Sequence, residues 1–471
     1  MNHFPQTAFL QRRIKHIHFV GIGGVGMNGI AEVFVNLGYK VSGSDQQASV
    51  VTQKLQALGV TVYFGHRVEQ IHGADVLVTS TAVKKDNPEV LAALSAHIPI
   101  VPRAQMLGEL MRFKAGIAVA GTHGKTTTTS ILTSILAEDG FDPTFVIGGL
   151  LNSAGTNARL GKGAYLVAEA DESDASFLYL RPMISIVTNI DADHMETYGG
   201  NFENLRTTFV KFLENLPFYG LAVLCIDDSV IRRSLNDIAR PIKTYGFSLD
   251  ADVRILEDSV YFDGSYSYFH VLRKNAPLLT LQLNLPGRHN ILNATAAIAV
   301  ASELGVSDKA IERALAQFGG VNRRLEPLGF LTLTDARSVR VIDDYGHHPR
   351  ELTVTIEALR SAYPLEKIVM VFQPHRYSRT RDLFNDFSAA LKTVDQLYLL
   401  DVYSAGEEPI QGADSATLAA TIPNAVLIKQ NAAEFFLLLN KKLVSGNILL
   451  FQGAGSVSPF AKEVLRCAEC Q

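Results

Sequence analysis

The sequence predicts an α/β protein of three domains, each built around a mostly parallel sheet. Short runs of β-branched residues alternate with helical patterns along the whole chain, which is typical of strand–helix–strand units. A length of 471 residues is too great for one hydrophobic core. The alternating pattern also restarts after two points, near residues 106 and 321. We therefore expect domains over residues 1–106, 107–321 and 322–471.

The composition narrows the class of function. Hydrophobic residues make up 47% of the chain, and 43 Lys and Arg against 47 Asp and Glu give a net charge of −4. A chain this balanced shows no bias toward nucleic acid or anionic membranes. No apolar run reaches the length of a membrane span, and no signal peptide is visible. We expect a cytoplasmic protein with small-molecule partners, neither bound to nucleic acid nor inserted in a membrane, that is a monomer or a homodimer.

The first domain carries a glycine turn after its first strand. Strands are expected at residues 16–20, 40–42, 61–63, 76–79 and 99–101. The turn has the form G-x-G-x-x-G and opens a helix, and the second strand ends in a serine and an aspartate. Glycines at a helix N-terminus can hold a pyrophosphate, whether of a dinucleotide or of a nucleotide-sugar. A tight turn without a ligand is the alternative. The candidate binding residues are Gly21, Gly23, Gly24, Gly26, Ser44 and Asp45.

The second domain begins with a different glycine turn. The strand Ile117–Ala120 leads into Gly-Thr-His-Gly-Lys-Thr at Gly121–Thr126, and a helical stretch follows. Converging N–H groups, the helix N-terminus and Lys125 suit the phosphates of ATP or GTP, while the Thr126 hydroxyl suits Mg²⁺. The loop is two residues shorter than G-x-x-x-x-G-K-[ST]. The competing interpretation is a glycine turn that only caps a helix.

Carboxylates follow the next strands. The strand at residues 164–168 ends in Glu169, with Asp171, Glu172 and Asp174 close behind, and the strand at 184–187 leads to His194 through a polar turn. Because parallel strands end at one edge of a sheet, these groups are expected near the phosphates, where a carboxylate suits Mg²⁺.

The remaining patterns extend the site. An antiparallel insertion is expected over residues 253–271, followed by helices over 290–304 and 308–318. Asn290 suits an N-cap, whereas Asn293 lies a turn further in and suits a base-reading amide. The third domain has expected strands at 339–343, 368–372, 396–400, 425–428 and 447–451. Clusters of His, Tyr and Arg follow the first two of them, and guanidinium groups suit a carboxylate clamp.

Taken together, four motifs resemble the Mur ligase family of peptidoglycan synthesis. They are G-I-G-G-x-G-M at Gly21–Met27, G-T-H-G-K-T-T-T at Gly121–Thr128, E-A-D-E-S-D at Glu169–Asp174 and D-D-Y-G-H-H-P at Asp343–Pro349. The similarity covers about Ile14 to Ser456, and the family's own phosphate loop has the short form.

The resemblance implies a Rossmann-like first domain for the UDP part of the substrate and a P-loop-type central ATPase domain with a parallel sheet and a small antiparallel insertion. It implies a Rossmann-like C-terminal domain for the amino acid. The implied ATP-binding residues are Gly121, Thr122, His123, Gly124, Lys125, Thr126, Thr127, Asn290, Asn293, Arg324 and Asp344. Thr126, Glu169 and His194 would serve Mg²⁺, and Tyr345, His347, Arg376 and Arg379 would line the amino-acid pocket. The implied catalytic residues are Lys125, His194, His347, Arg376 and Arg379.

The implied reaction joins L-alanine to the lactyl carboxylate of UDP-N-acetylmuramate through an acyl phosphate, with release of ADP and phosphate. A related ligase that attaches a ready-made tripeptide shares most motifs, although the first and last motifs favour alanine. Two other classes stay open. An NAD-dependent oxidoreductase would use the first glycine turn and Asp45, and a regulatory NTPase would hydrolyse ATP without any amino acid. The ligands of a second Mg²⁺ are not assigned, since residues 204–208 offer no lysine.

Overall fold

The computed structural model describes residues 13–469, and it confirms the α/β class with three sheets. The chain forms two compact units. One comprises residues through 258 together with 270–281 and 292–318, and the other comprises residues 259–269, 282–291 and those from 319 onward.

The first sheet, in the first unit, is parallel and has the order β3-β2-β1-β4-β5. Its strands are β1 (His16–Val20), β2 (Lys40–Asp45), β3 (Thr61–Phe64), β4 (Val76–Thr79) and β5 (Ile100–Pro102). Its helices are α1 (Val25–Asn36), α2 (Val50–Ala57), α3 (Pro88–Ser95) and α4 (Arg103–Met111). The strand order reverses between β1 and β4, and the first glycine turn follows β1 at this switch point, where open α/β sheets bind ligands.

The second sheet runs through the first unit in the order β13-β12-β11-β10-β6-β9-β7-β8, and only β8 pairs antiparallel within this run. Its strands are β6 (Ala115–Ala120), β7 (Thr144–Leu151), β8 (Thr156–Arg159), β9 (Tyr165–Glu169), β10 (Ile184–Val187), β11 (Leu221–Cys225), β12 (Ile242–Gly246) and β13 (Val253–Ile255). The helices are α5 (Lys125–Glu138), α6 (Phe202–Glu214), α7 (Ser229–Ser234), α8 (Arg288–Glu303) and α9 (Asp308–Ala316), of which α8 contributes residues to both units.

The antiparallel insertion is present. It comprises β14 (Tyr261–Asp263), β15 (Tyr266–Arg273) and β16 (Leu279–Leu283). Within the second unit β14 pairs antiparallel with β15, with Tyr261 opposite Tyr268. Along β15 the buried residues alternate, and Phe269 and Val271 are 1% and 0% exposed. Tyr266, Tyr268 and His270 alternate with them on the less buried face, as the period of two in a strand requires.

The third sheet, in the second unit, has the order β17-β18-β22-β19-β20-β21, and β17 alone is antiparallel. Its strands are β17 (Glu326–Thr332), β18 (Ser338–Asp344), β19 (Lys367–Phe372), β20 (Gln396–Leu399), β21 (Ala425–Leu427) and β22 (Asn447–Gln452). The helices are α10 (Pro349–Ala362), α11 (Tyr377–Asp382), α12 (Phe384–Leu391), α13 (Ser415–Ala419), α14 (Ala432–Lys442) and α15 (Val457–Glu469).

Central strands of the second and third sheets are apolar and fully buried. The side chains of β6 from Ile117 to Ala120 and those of β22 from Ile448 to Phe451 are 0% exposed. Strands buried on both faces read as continuous apolar runs, and their carboxyl ends are therefore fixed points for the polar loops that follow. Among residues 13–469, no helix has the length and apolar character needed to cross a membrane.

Candidate active site

The second glycine turn forms a cradle between β6 and α5. Gly121 and Gly124 have φ angles of 131° and 84°, a region that favours glycine. A Cβ on Gly121 would collide with the Thr188 hydroxyl, and one on Gly124 would collide with the Asn293 side-chain oxygen. The loop is anchored by Asn189, which accepts from the His123 N–H at 2.9 Å and donates to the His123 carbonyl at 3.0 Å. These contacts fix the conformation of the turn at the N-terminus of α5.

Lys125 lies folded across this turn. Its Nζ donates to the carbonyls of Gly121 and Thr122 at 2.6 and 3.0 Å. It also forms an ion pair with Glu172 at 2.8 Å, and the two side chains are only 18% and 4% exposed. Burial raises the pKa of Glu172 to about 7 against the opposing charge of Lys125. Burial alone would lower the pKa of Lys125, but Glu172 and the neighbouring carboxylates raise it, so the lysine stays charged.

The predicted metal ligands lie at the ends of adjacent elements. Glu169 ends β9, Thr126 is in the first turn of α5, and His194 follows β10. Glu169 accepts from the Gly148 N–H at 2.7 Å, and His194 lies 3.5 Å from Asp193 in the left-handed backbone region at φ 53°. The carboxylate and hydroxyl oxygens are the hard ligands that Mg²⁺ prefers, so Glu169 and Thr126 fit this ion.

The first glycine turn is held against β2. Gly21 and Ile22 donate their N–H groups to the Ser44 carbonyl, and Gly23 donates to the Asp45 carboxylate at 2.8 Å. The Ser44 hydroxyl is buried and donates to Glu89 at 2.7 Å, so it faces the interior. Ser44 thus shapes the turn through its backbone.

One cavity of 1140 Å³ within the first unit is lined by the first glycine turn and by Lys125 of the second turn. Its lining includes Gly21, Gly23, Gly24, Gly26, Asp45, Arg103, Lys125, Glu169 and Asp171. The predicted site residues outside this lining include Gly121, Thr122, His123, Gly124, Thr126, His194 and Ser44. A volume of this size holds a ligand the size of a nucleotide-sugar.

In the second unit, Asp344 organises the end of β18. Its carboxylate accepts from the N–H groups of Leu325 and Gly346 at 2.9 Å each, and from the Gln452 amide at 2.8 Å. Burial raises the pKa of Asp344, and the nearby charge of Arg324 opposes this shift.

Helix α8 begins at Arg288, so Asn290 lies inside the helix and the N-cap alternative is wrong. Its amide instead donates to the Pro286 carbonyl at 2.7 Å.

Aromatic rings and cations gather beside this strand end. Tyr345 and His347 meet edge-on at 5.3 Å between ring centroids, and His347 lies 5.6 Å from His375, which stacks on Tyr403 at 5.4 Å. Arg379 lies 3.5 Å from the His375 ring. Burial, His347 and the Arg379 and Arg376 cations lower the pKa of His375 to about 4, so this imidazole is neutral at physiological pH.

Sequence reasoning missed several residues of this arrangement as site residues: Arg103, His375 and Tyr403, together with the role of Glu172. Arg103 begins α4, and nothing in its local pattern marks it. Only the fold brings it beside Gly26 and within 3.1 Å of Asp171. His375 lies in the same cluster as Arg376 and Arg379, and its position directly after β19 is the signal that would have identified it.

Three family models match successive parts of the chain. They describe a Mur ligase family catalytic domain over residues 16–115, a Mur ligase middle domain over 119–301, and a Mur ligase glutamate ligase domain over 323–455. The confirmed resemblance thus extends over all three sheets.

Solved structures agree with these matches. The chain is 28% identical to the UDP-N-acetylmuramate–alanine ligase MurC of Thermotoga maritima, with 97% of this chain and 99% of that chain covered and a TM-score of 0.80. It is 30% identical to the UDP-N-acetylmuramate:L-alanyl-γ-D-glutamyl-meso-diaminopimelate ligase of Neisseria meningitides, covering 66% of this chain and 100% of that chain, with a TM-score of 0.60. A MurF ligase of Thermotoga maritima in complex with ADP shares the fold at 18% identity, with 92% and 94% covered and a TM-score of 0.62. The chain therefore belongs to the Mur ligase family, the ATP-dependent ligases of peptidoglycan precursor synthesis.

Proposed function

We propose that this protein joins L-alanine to the lactyl carboxylate of UDP-N-acetylmuramate, with conversion of ATP to ADP and phosphate. The observation that supports the proposal is the cavity that the first glycine turn lines together with Lys125 of the second turn. A nucleotide-sugar held at Gly21–Gly26 and a triphosphate held at Gly121–Lys125 would meet at this cavity. That proximity is what transfer of a phosphoryl group onto a sugar carboxylate requires.

The chemistry needs this activation because a carboxylate is unreactive toward an amine at neutral pH. Attack of the carboxylate oxygen on the γ-phosphorus forms an acyl phosphate and releases ADP. The neutral amine of alanine then attacks the acyl carbon, and phosphate leaves as the amide forms. Negative charge accumulates on the transferring phosphoryl group and later on the carbonyl oxygen. Lys125 would stabilise that charge from the turn.

Mg²⁺ would be held by Thr126 and Glu169, with His194 as a third candidate. When bound, the ion neutralises phosphate charge and orients the transferring group. We assign the adenine-nucleotide contacts Asn290, Asn293, Arg324 and Asp344 on the strength of the family resemblance.

The amino acid is assigned to the cluster after β18 and β19. Arg376 and Arg379 supply two guanidinium groups for the carboxylate of alanine, and Arg376 adopts a left-handed φ of 71°, the kind of backbone strain that concentrates at functional sites. His347, whose ring lies 5.6 Å from the neutral imidazole of His375, would receive the amine proton or position the amine.

One comparison favours alanine over a tripeptide. The Thermotoga alanine ligase matches this chain with a TM-score of 0.80 at 28% identity, whereas a murein peptide ligase of Psychrobacter arcticus, matched over 96% of this chain and 98% of that chain, reaches a TM-score of 0.70 at 24% identity. The test is an amino-acid scan of ADP release in the presence of UDP-N-acetylmuramate and Mg²⁺. Alanine should support release far better than glycine, serine or the tripeptide. Release with the tripeptide alone would assign the recycling reaction instead, and release without any acceptor would refute the ligase assignment.

A further inference from the structure

Arg103 lies beside the first glycine turn. It is the first residue of α4, its side chain is 22% exposed, and it lines the shared cavity. Its Nη2 donates to the Asp171 carboxylate at 3.1 Å. Asp171 is the only hydrogen-bond partner of this guanidinium within the described residues. The remaining N–H groups are therefore available to a ligand.

Gly26, the last glycine of the first turn, leaves room for this side chain. A Cβ on Gly26 would lie 2.9 Å from Arg103 Cδ and 3.0 Å from Nη1. Any other residue at position 26 would therefore push the guanidinium away. The arrangement places Nε and Nη1 toward the glycine turn and Nη2 toward Asp171.

Few cationic side chains line the cavity and could bind a phosphate group there. Its lining contains three Lys or Arg residues, namely Lys84, Arg103 and Lys125. Lys125 is engaged by Glu172 at the other turn, and Lys84 is exposed to solvent. The backbone dipoles of the first turn supply only partial charges, whereas a diphosphate carries at least two full negative charges. Arg103 supplies a full charge at that turn, with the fork geometry that suits phosphate oxygens.

We propose that Arg103 binds the diphosphate of the nucleotide-sugar substrate, with Asp171 orienting its guanidinium through Nη2. This assignment rests on the proposed function, because it requires a uridine diphosphate substrate at Gly21–Gly26.

The test compares ligands with and without the diphosphate. Binding of UDP-N-acetylmuramate, UDP and uridine is measured by calorimetry or by competition, for the wild type and for Arg103→Gln and Arg103→Lys. Because Arg103→Gln loses a charged hydrogen-bond donor, its affinity for UDP-N-acetylmuramate and for UDP should fall by about 10- to 100-fold. Its affinity for uridine should stay within about twofold of the wild-type value. Arg103→Lys keeps the charge but loses the fork of the guanidinium, so its affinity for the two diphosphates should lie between that of the wild type and that of Arg103→Gln. The diphosphate affinity of the glutamine variant should also depend less on salt.

Arg112→Gln is the matched control. Arg112 immediately follows the same helix, is 61% exposed and pairs with Glu109 at 3.3 Å outside the cavity lining. It should bind all three ligands like the wild type. If Arg103→Gln does not fold, as judged by thermal unfolding, Arg103→Lys decides. Wild-type affinity of a folded Arg103 variant for UDP-N-acetylmuramate would overturn the assignment while leaving the proposed function intact. A wild type that binds neither diphosphate would refute the proposed function, and the assignment with it.

Discussion

The pair of Lys125 and Glu172 allows the chemical role of the lysine to be separated from its structural role. Replacing Lys125 by methionine keeps much of the side-chain volume and removes the charge. We expect turnover to fall at least about 100-fold, because a donor that stabilises the transferring phosphoryl group is lost. The same change breaks a buried ion pair, since Glu172 is only 4% exposed.

The stability cost follows from that burial. Removing one member of a buried pair costs roughly 3–5 kcal/mol, because the other charge stays uncompensated. The pH dependence follows from the pKa of Glu172, which burial has raised from 4.5 to about 7 in the wild type. The group binds more protons in the folded state than in the unfolded one, so its contribution to stability falls as pH rises from 4.5 through 7. Without Lys125 its pKa rises further. The stability that Lys125→Met loses relative to the wild type should therefore be small at pH 5 and reach its full value near pH 9.

The assay is chemical unfolding at pH 5 and pH 9, together with ADP release at neutral pH. The double variant Lys125→Met with Glu172→Gln removes both charges, so it should regain stability to within about 1 kcal/mol of the wild type while remaining inactive. Equal destabilisation of the single variant at both pH values would refute the electrostatic account. Restored turnover in the double variant would refute the phosphate role of Lys125.

Three further outcomes are expected. Gly124→Ala should lose ADP affinity in calorimetry and unfold at lower temperature, because its φ of 84° disfavours a side chain and the new Cβ would collide with Asn293; unchanged affinity would show that the turn does not cradle phosphate. Gly26→Ala should fold normally, since only the flexible side chain of Arg103 must move to make room for the new Cβ. The variant should bind UDP-N-acetylmuramate more weakly, and wild-type affinity would count against a contact between Arg103 and the diphosphate. The His375 ring should show no NMR titration between pH 5.5 and 8, because its pKa is lowered to about 4, whereas an inflection near pH 6.5 would contradict the burial of this ring.

Much of the fold follows from local sequence. Strands such as β1, β4, β10 and β19 are short apolar runs bounded by turns, and they lie within a residue of the predicted positions. Both glycine turns were predictable because a glycine-rich turn between strand and helix has few other uses.

Other elements gave no clear local signal. Strand β7 contains two glycines, β8 is largely polar, and β17 carries a proline and a glycine at an exposed edge. Sheet pairing stabilises such strands more than their own propensity does. Long-range assembly also explains why the sequence did not identify the roles of Arg103 and Glu172, since their partners lie 68 and 47 residues away along the chain. A contact at that distance depends on how the strands assemble, which local patterns do not determine.

The route of one oxygen atom tests the central claim most directly. UDP-N-acetylmuramate labelled with ¹⁸O in its lactyl carboxylate is turned over with ATP, Mg²⁺ and L-alanine, and the released phosphate is analysed by mass spectrometry. Activation by phosphoryl transfer in the shared cavity predicts one ¹⁸O atom in each phosphate, because a carboxylate oxygen leaves with the phosphoryl group. Unlabelled phosphate formed together with the alanyl product would contradict the account.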